Sequence, residues 1–274
     1  MKTEIFAISN QKGGVGKTTT CVNLAASMVA AKKKVLVIDL DPQGNTTTSS
    51  GVDKYFLERT VYDILVDNIP ISEVMIDNTS GGYYLIPSNS DVTACEVRLN
   101  EMFAREIKLR NALSTVKDLF DYIYIDCPPS LNILTVNAMC AADSVLIPMQ
   151  CEYFSLEGIT SIIDIINKLS QMVNPNLKIE GILRTMYDNR NILARDISKE
   201  LKAKFGDKVY RTVIPRNIKL AEAPSYLKPA LQYDKNSVGA KAYMLLAVEI
   251  LRRDEITDNL TVNNNSKDMV TIGE

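Results

Sequence analysis

The stretch Lys12-Gly13-Gly14-Val15-Gly16-Lys17-Thr18-Thr19 constrains this chain more than any other. It follows the apolar run Ile5-Phe6-Ala7-Ile8 and opens a helix-like run from Thr18 to Ala31. A strand, a glycine-rich loop and a helix, in that order, make the setting of a phosphate-binding loop. Glycines let the backbone curl until its N–H groups converge on phosphate oxygens. The helix N-terminus adds a partial positive charge. In that arrangement Lys17 reaches the β- and γ-phosphates, and the Thr18 hydroxyl ligates Mg²⁺. A bland glycine-rich turn would not need the lysine and two threonines in those places. The loop departs from the standard pattern at one end. Gln11 stands where a glycine is expected, and a second lysine, Lys12, sits beside it. Lys12 is either a solvated loop lysine or one that serves a phosphate outside its own loop.

The 274 residues suit one α/β domain with decorations, or two small domains. No apolar run approaches the 18 residues of a membrane span. The chain runs from Met-Lys-Thr-Glu straight into a strand, so no secretory signal is expected. Cys21, Cys95, Cys127, Cys140 and Cys151 form no CxxC pair. They read as buried free thiols in a reducing cytosol rather than a disulfide or zinc framework. The chain contains no histidine. That excludes Ser-His-Asp and Cys-His catalysis and histidine metal sites. Chemistry is left to carboxylates, lysines, hydroxyls and bound metal.

Apolar β-like runs fall at residues 4–9, 34–39, 83–87, 122–126, 144–148, 179–183 and 209–214. Several are continuously apolar, as strands covered on both faces are. Helical patterns fall at 18–31, 92–99, 104–119, 155–172, 192–205 and 238–253. This alternation predicts a doubly wound, mostly parallel α/β sheet with helices on both faces, a P-loop NTPase. Residues 1–253 read as a single P-loop domain. Residues 254–274 are polar, contain Asn263-Asn264-Asn265 and read as a disordered tail.

Asp39-Leu40-Asp41-Pro42-Gln43-Gly44-Asn45 follows the second strand. Ligands of open α/β sheets bind beyond the carboxyl ends of strands. A carboxylate there orients water for attack on a γ-phosphate or holds a water of Mg²⁺, making Asp39 and Asp41 candidates. The stretch from Asp41 to Gly44 also has the composition of a simple turn. Tyr122-Ile123-Tyr124-Ile125-Asp126 is an apolar strand ending in aspartate, the Walker B arrangement, with Asp126 completing the Mg²⁺ shell. Cys127 reads as a core thiol because no histidine or adjacent cation activates it. Phosphoryl transfer depends on positioning and charge neutralisation, which lysines, a hydroxyl, aspartates and backbone N–H groups supply without histidine.

These motifs together resemble the deviant Walker A ATPases of the ParA/Soj/MinD group. Asp39–Asn45, Ile125-Asp126-Cys127-Pro128-Pro129-Ser130, the Gln150–Gly158 stretch, Ile214-Pro215-Arg216-Asn217 and Glu222-Ala223-Pro224-Ser225 are similar to the Soj-type partitioning branch. The similarity runs from about residue 3 to 253. The resemblance implies ATP and Mg²⁺ as cofactors and an ATP-sandwich homodimer in which Lys12 crosses to the partner's nucleotide. It implies that residues Lys12 to Thr19 hold the phosphates, that Asp41 positions the hydrolytic water, and that Pro215 and Asn217 cup the adenine. A ParB-like partner, a nucleoid-associated cytoplasmic location and no membrane partner are implied as well. Leu227 departs from the pattern, which often has glycine or a polar residue there.

Residues 178–228 carry 12 basic against 6 acidic side chains in a chain of net charge −2. A local basic surface of this kind suits nonspecific duplex DNA, and the candidate contacts are Arg195, Lys199 and Lys219. The plain alternative is a solvated helix face. Two other functions compete. A membrane-cycling MinD-like ATPase needs a basic amphipathic C-terminal helix, which residues 254–274 do not spell. An iron–sulfur reductase needs two cysteines placed to bridge a cluster across a dimer, and Cys95 and Cys127 lack such surroundings.

Overall fold

A computed structural model describes residues 3–270, with side chains to 256 and the backbone alone beyond. Seven strands form one sheet in the order β3-β2-β4-β1-β5-β6-β7. They are β1 Glu4–Ile8, β2 Val35–Asp39, β3 Tyr84–Ile86, β4 Tyr122–Asp126, β5 Ser144–Gln150, β6 Lys178–Tyr187 and β7 Val209–Pro215. All six pairings between neighbours are parallel. Each expected strand is present, and the parallel, doubly wound reading holds.

Alternation along the strands sorts the core into two layers. Ile5, Ala7, Leu36, Ile38, Ile123, Ile125, Val145 and Ile147 face one layer of helices, including Ile133–Ala141 and Ser155–Met172. Phe6, Ile8, Val35, Val37, Tyr122, Tyr124 and Leu146 face the other, with helix Lys17–Ala30 and the start of helix Val238–Val270. Phe6 meets Tyr124 edge-on with ring centroids 5.7 Å apart. Side chains of this size each stabilise by roughly 1.5–3 kcal/mol when fully buried. Both faces of the sheet are therefore dry, and a ligand meets such a sheet beyond the carboxyl ends of its strands.

Some helices differ from the sequence expectation. The helix expected over 104–119 is only Lys108–Leu113, flanked by 3₁₀ turns Arg105–Ile107 and Lys117–Leu119. Ser114 and Thr115 donate their hydroxyls to the carbonyls of Asn111 and Ala112, local bonds that compete with helix continuation. Helix Ile133–Ala141 was not expected. Asn132 caps it, accepting from the N–H groups of Leu134 and Thr135. Seven of its nine residues are buried, so it shows no amphipathic period to read. The last helix runs from Val238 to Val270, past the end expected at 253. The tail expected over 254–274 falls largely on residues outside those described with side chains. Among the described residues no helix is long and apolar enough to cross a membrane.

Leu227 adopts a left-handed conformation, φ 57°, and closes the turn that follows Pro224. A branched residue pays about 1–2 kcal/mol there that glycine does not. Glycine in turn loses more backbone entropy on folding, roughly 0.5–1 kcal/mol. Leu227→Gly is expected to stabilise the protein by about 0.5–1 kcal/mol net. An unchanged or lower urea midpoint would show that the Leu227 side chain, 47% exposed, contributes packing that offsets the strain.

Candidate active site

The glycine-rich loop begins where β1 ends. Gly14 and Gly16 take φ 73° and 91°, a region open to glycine without strain. Gly16 is also the residue that caps helix Lys17–Ala30, and no side chain accepts from the helix N-terminus there. Two neighbouring strands hold the loop by its carbonyls. The Gln150 amide donates to the Gly14 carbonyl at 2.9 Å, and the Thr185 hydroxyl donates to that of Val15 at 2.7 Å. In a trans peptide the N–H points opposite to the C=O. Holding these carbonyls on β5 and β6 therefore turns the following N–H groups, of Val15 and Gly16, to the other side. Asn10 braces the loop's start, donating to the Pro148 carbonyl at 2.8 Å and accepting from the Lys12 N–H at 3.0 Å.

Lys17 is buried, and its ammonium lies 3.4 Å from the Lys12 carbonyl. Lys12 itself is half exposed, and its ammonium is 2.5 Å from Glu152, just past β5. Gly13 and Thr19 complete the stretch, and a Cβ on Gly13 would meet nothing within 4 Å.

The carboxylates sit at the ends of β4 and β2. Asp126 and Asp39 are register partners, and both are fully buried. Asp126 Oδ2 accepts from the hydroxyls of Thr18 and Thr46, each at 2.7 Å. Its Oδ1 is buried with no hydrogen-bond partner. An orphaned carboxylate oxygen beside a threonine hydroxyl fits a divalent cation held by hard oxygen donors. Among the described residues no group of three or more Cys, Asp or Glu side chains could hold a metal alone. A cation here would need further oxygens from ligand or water, as Mg²⁺ in phosphate sites does.

Asp39 uses both oxygens within the chain. Its Oδ2 accepts from the Thr47 N–H and hydroxyl, each at 2.8 Å, and its Oδ1 from the Asp41 N–H at 3.1 Å. Burial first, and then the negative charge of Asp126, raise the Asp39 pKa far above the usual carboxylate range. Burial also raises that of Asp126, against the lowering effect of the Thr46 and Thr18 hydroxyls. Asp41 stands beyond them, half-buried. Its Oδ1 accepts from the Gln43 N–H at 3.0 Å, and its carbonyl from the Ser88 hydroxyl at 2.8 Å. Gly44, at φ 60°, turns the chain back where a Cβ would lie 2.7 Å from the Ser88 carbonyl. Asp41 thus heads a turn just beyond the carboxyl end of β2.

Pro215 ends β7, level with Tyr187 of β6. Asn217 follows, and its Oδ1 is buried without a partner. The basic candidates divide. Arg195 and Lys199 lie on the exposed face of helix Ile192–Phe205, whose Ala194, Ile197, Ser198 and Leu201 are buried. Lys199 pairs with Asp196 at 3.5 Å. Lys219 is not on that helix. It pairs with Glu222 at 2.9 Å and lies over the Tyr233 ring. Arg184, counted in the basic stretch, is a correction: it is 3% exposed and donates to the Ser198 hydroxyl and the Tyr210 carbonyl. All five cysteines are buried free thiols.

Sequence reasoning did not assign roles to Thr46, Thr47, Ser88, Gln150, Glu152 or Thr185. Thr46 and Gln150 stand within or beside quoted motifs. Thr185 and Ser88 carry no local signal, because only strand pairing brings them to the loop and the aspartates.

The chain is similar to known proteins along most of its length. A family model described as an AAA domain matches residues 3–179. The chain is 47% identical to the sporulation initiation inhibitor protein Soj of Bacillus subtilis, over 90% of this chain and 98% of that one. It is 45% identical to the chromosome partitioning protein ParA of Caulobacter vibrioides, over 91% and 94%. Among solved structures it is similar to cobyrinic acid a,c-diamide synthase from Mycobacterium smegmatis with bound ADP and magnesium. That match has a TM-score of 0.81 and 34% identity, over 92% of this chain and 96% of that one.

Thr47 ties the site together, since its hydroxyl donates to Asp39 and accepts from the Ser88 N–H at 2.9 Å. Thr47→Val keeps the volume, leaves the buried Ser88 N–H without its acceptor and removes one of the donors to Asp39, which keeps the backbone N–H of residue 47. It is expected to cost about 1–3 kcal/mol, the price of a buried donor left unmade. Thr47→Ser should restore most of it. Urea denaturation checks this, and equal midpoints for wild type and Thr47→Val would show that the network contributes nothing to stability.

Proposed function

The chain belongs to the ParA/Soj family of partitioning ATPases, and from that premise we propose a Mg²⁺-dependent ATPase of chromosome or plasmid partitioning. In this reading it forms an ATP-sandwich homodimer, binds duplex DNA without sequence preference and is stimulated by a ParB-like partner. It works in the cytoplasm, associated with the nucleoid. The observation that carries the reading is the convergence of the Thr18 hydroxyl on Asp126, with its unpartnered Oδ1, beside a loop pinned by its carbonyls.

The residues divide the work. The N–H groups of Gly13 to Thr19 and the Lys17 ammonium bind the phosphates. Thr18 and Asp126 would hold the cation, and when bound it would supply positive charge beside the phosphates. Asp39 braces the turn that presents Asp41, and Asp41 orients the attacking water. Lys12 crosses to the second nucleotide of the dimer. Asn217 and Pro215 border the adenine, Pro215 at the end of β7 and Asn217 two residues beyond it. Turnover by the protein alone is slow, because a cation supplied by a partner contributes much to phosphoryl transfer.

The DNA surface is the outer face of helix Ile192–Phe205. Arg195, Lys199 and Lys202 recur there at helical spacing and are exposed. Lys219 contributes less, because it lies on another helix, Ile218–Glu222, and stacks over the Tyr233 ring. A dimer presents two such faces, so counterion release from both adds up.

Two experiments test this. Asp41→Ala is expected to lower ATP turnover by about 10²-fold or more while leaving ATP binding in place. Turnover at the wild-type rate, read by phosphate release, would remove Asp41 from the reaction. Arg195, Lys199 and Lys202 changed together to Glu should weaken ATP-dependent binding to all duplex sequences alike and reduce its salt dependence. Undiminished binding at the same salt would place the DNA elsewhere.

A further inference from the structure

Lys54 lies in none of the motifs of the phosphate site, yet its side chain closes on the turn that carries Asp41. Its ammonium donates to the Gln43 carbonyl at 2.5 Å. Its stem fills the space beside Gly44, where a Cβ would lie 2.9 Å from Lys54 Cδ and 3.5 Å from its Cβ. Gln43 is thereby gripped at both ends. Its N–H donates to Asp41 Oδ1 at 3.0 Å, and its carbonyl is held by Lys54. The start of the turn has a separate anchor, the Ser88 hydroxyl on the Asp41 carbonyl at 2.8 Å. Lys54 is itself placed by its loop. Asp53 accepts from the Tyr55 N–H at 3.0 Å with its Oδ1 and from the Phe56 N–H at 3.3 Å with its carbonyl. The Lys54 ammonium also lies 5.6 Å from the centroid of the Tyr55 ring.

We propose that Lys54 is a positioning residue for ATP hydrolysis, an ammonium clamp that fixes Gln43 and, through it, the Asp41 carboxylate. This rests on the reading that Asp41 orients the attacking water. The tie on Asp41 Oδ1 is only as firm as the residue that donates it, and Gln43 is exposed. Ser88 fixes the turn at Asp41 and Lys54 fixes it at Gln43. With the second point gone, the turn swings about the first. A charged donor makes a bond roughly twice as strong as a neutral one, which suits a carbonyl where water competes. The ammonium takes a carbonyl and not the carboxylate, so Asp41 keeps its acceptor capacity for water.

Such a clamp supplies angular precision. Misplacing a catalytic group by roughly 1 Å costs about 10²-fold in rate, and a turn loosened at one of its two points costs less, about 5- to 20-fold.

The test is ATP turnover of the full chain with Mg²⁺, read as release of labelled phosphate, in a double-mutant cycle with Asp41→Ala. Lys54→Met keeps the stem and removes the charged donor. It should lower kcat by about 5- to 20-fold and leave KM for ATP within about 2-fold. Lys54→Arg, which keeps a charged donor on a long stem, should recover most of the turnover. In the Asp41→Ala background Lys54→Met should change the residual turnover by less than about 2-fold, because the clamp acts only through Asp41. A wild-type kcat in Lys54→Met overturns the clamp. So does a loss confined to KM, or one that multiplies in full with the loss from Asp41→Ala. Should Lys54→Met fold poorly, Lys54→Gln, whose shorter stem carries a neutral donor, replaces it, and a wild-type kcat there overturns the clamp equally. Full turnover in Asp41→Ala alone is a different failure: it defeats the role of Asp41, on which the clamp rests.

Discussion

The parallel pairing of β2, β4 and β1 is the constraint on which the site depends. It sets Asp126 level with Ile8 on one side and with Asp39 on the other. Three strand ends thereby stop at one line. The loop leaves from the first, the carboxylate with the open oxygen stands on the second, and the turn carrying Asp41 leaves from the third. A shift of one residue in either pairing would turn every side chain to the opposite face and bury the aspartates in apolar layers. The dry cores on both faces of the sheet oppose that shift, because it would take Ile5, Ile123 and Val37 out of the apolar layers that bury them.

That arrangement places two carboxylates side by side with no water to solvate them. The protein meets the cost with hydroxyls and N–H groups rather than with cations. Thr18 and Thr46 serve Asp126, and Thr47 serves Asp39 twice. Neutral donors leave the local charge negative, which favours a divalent cation and the lysines of the loop over a self-contained ion pair. Lys17 and Lys12 are then kept where they are by weaker contacts, a carbonyl at 3.4 Å and an exposed carboxylate. The rigidly held groups are those that build the framework, and the two loop lysines are held by fewer contacts.

The phosphate loop, all seven strands and the Walker B aspartate were legible in the sequence. Continuous apolar runs have few other uses, and glycine, lysine and threonine at fixed spacing after such a run have fewer. Helix Ile133–Ala141 was not legible, because burial all round erases the period that announces a helix. The basic stretch was legible as composition but not as surface. Arg184 and Lys219 count equally with Arg195 in a sum of charges, yet one is enclosed beneath helix Ile192–Phe205 and the other lies on another helix, over the Tyr233 ring.

The sequence by itself determined the layered α/β architecture, the phosphate loop and the family, because these rest on local pattern: apolar runs, helical spacing and short motifs that act within one turn of chain. Tertiary structure alone decided which distant residues serve that loop. Gln150, Thr185 and Glu152 reach it only because β5 and β6 pair in register beside β1, and Ser88 reaches Asp41 only because β3 pairs with β2. Such partners are separated by tens to hundreds of residues, and strand register, a property of the whole sheet, is what brings them within hydrogen-bonding distance.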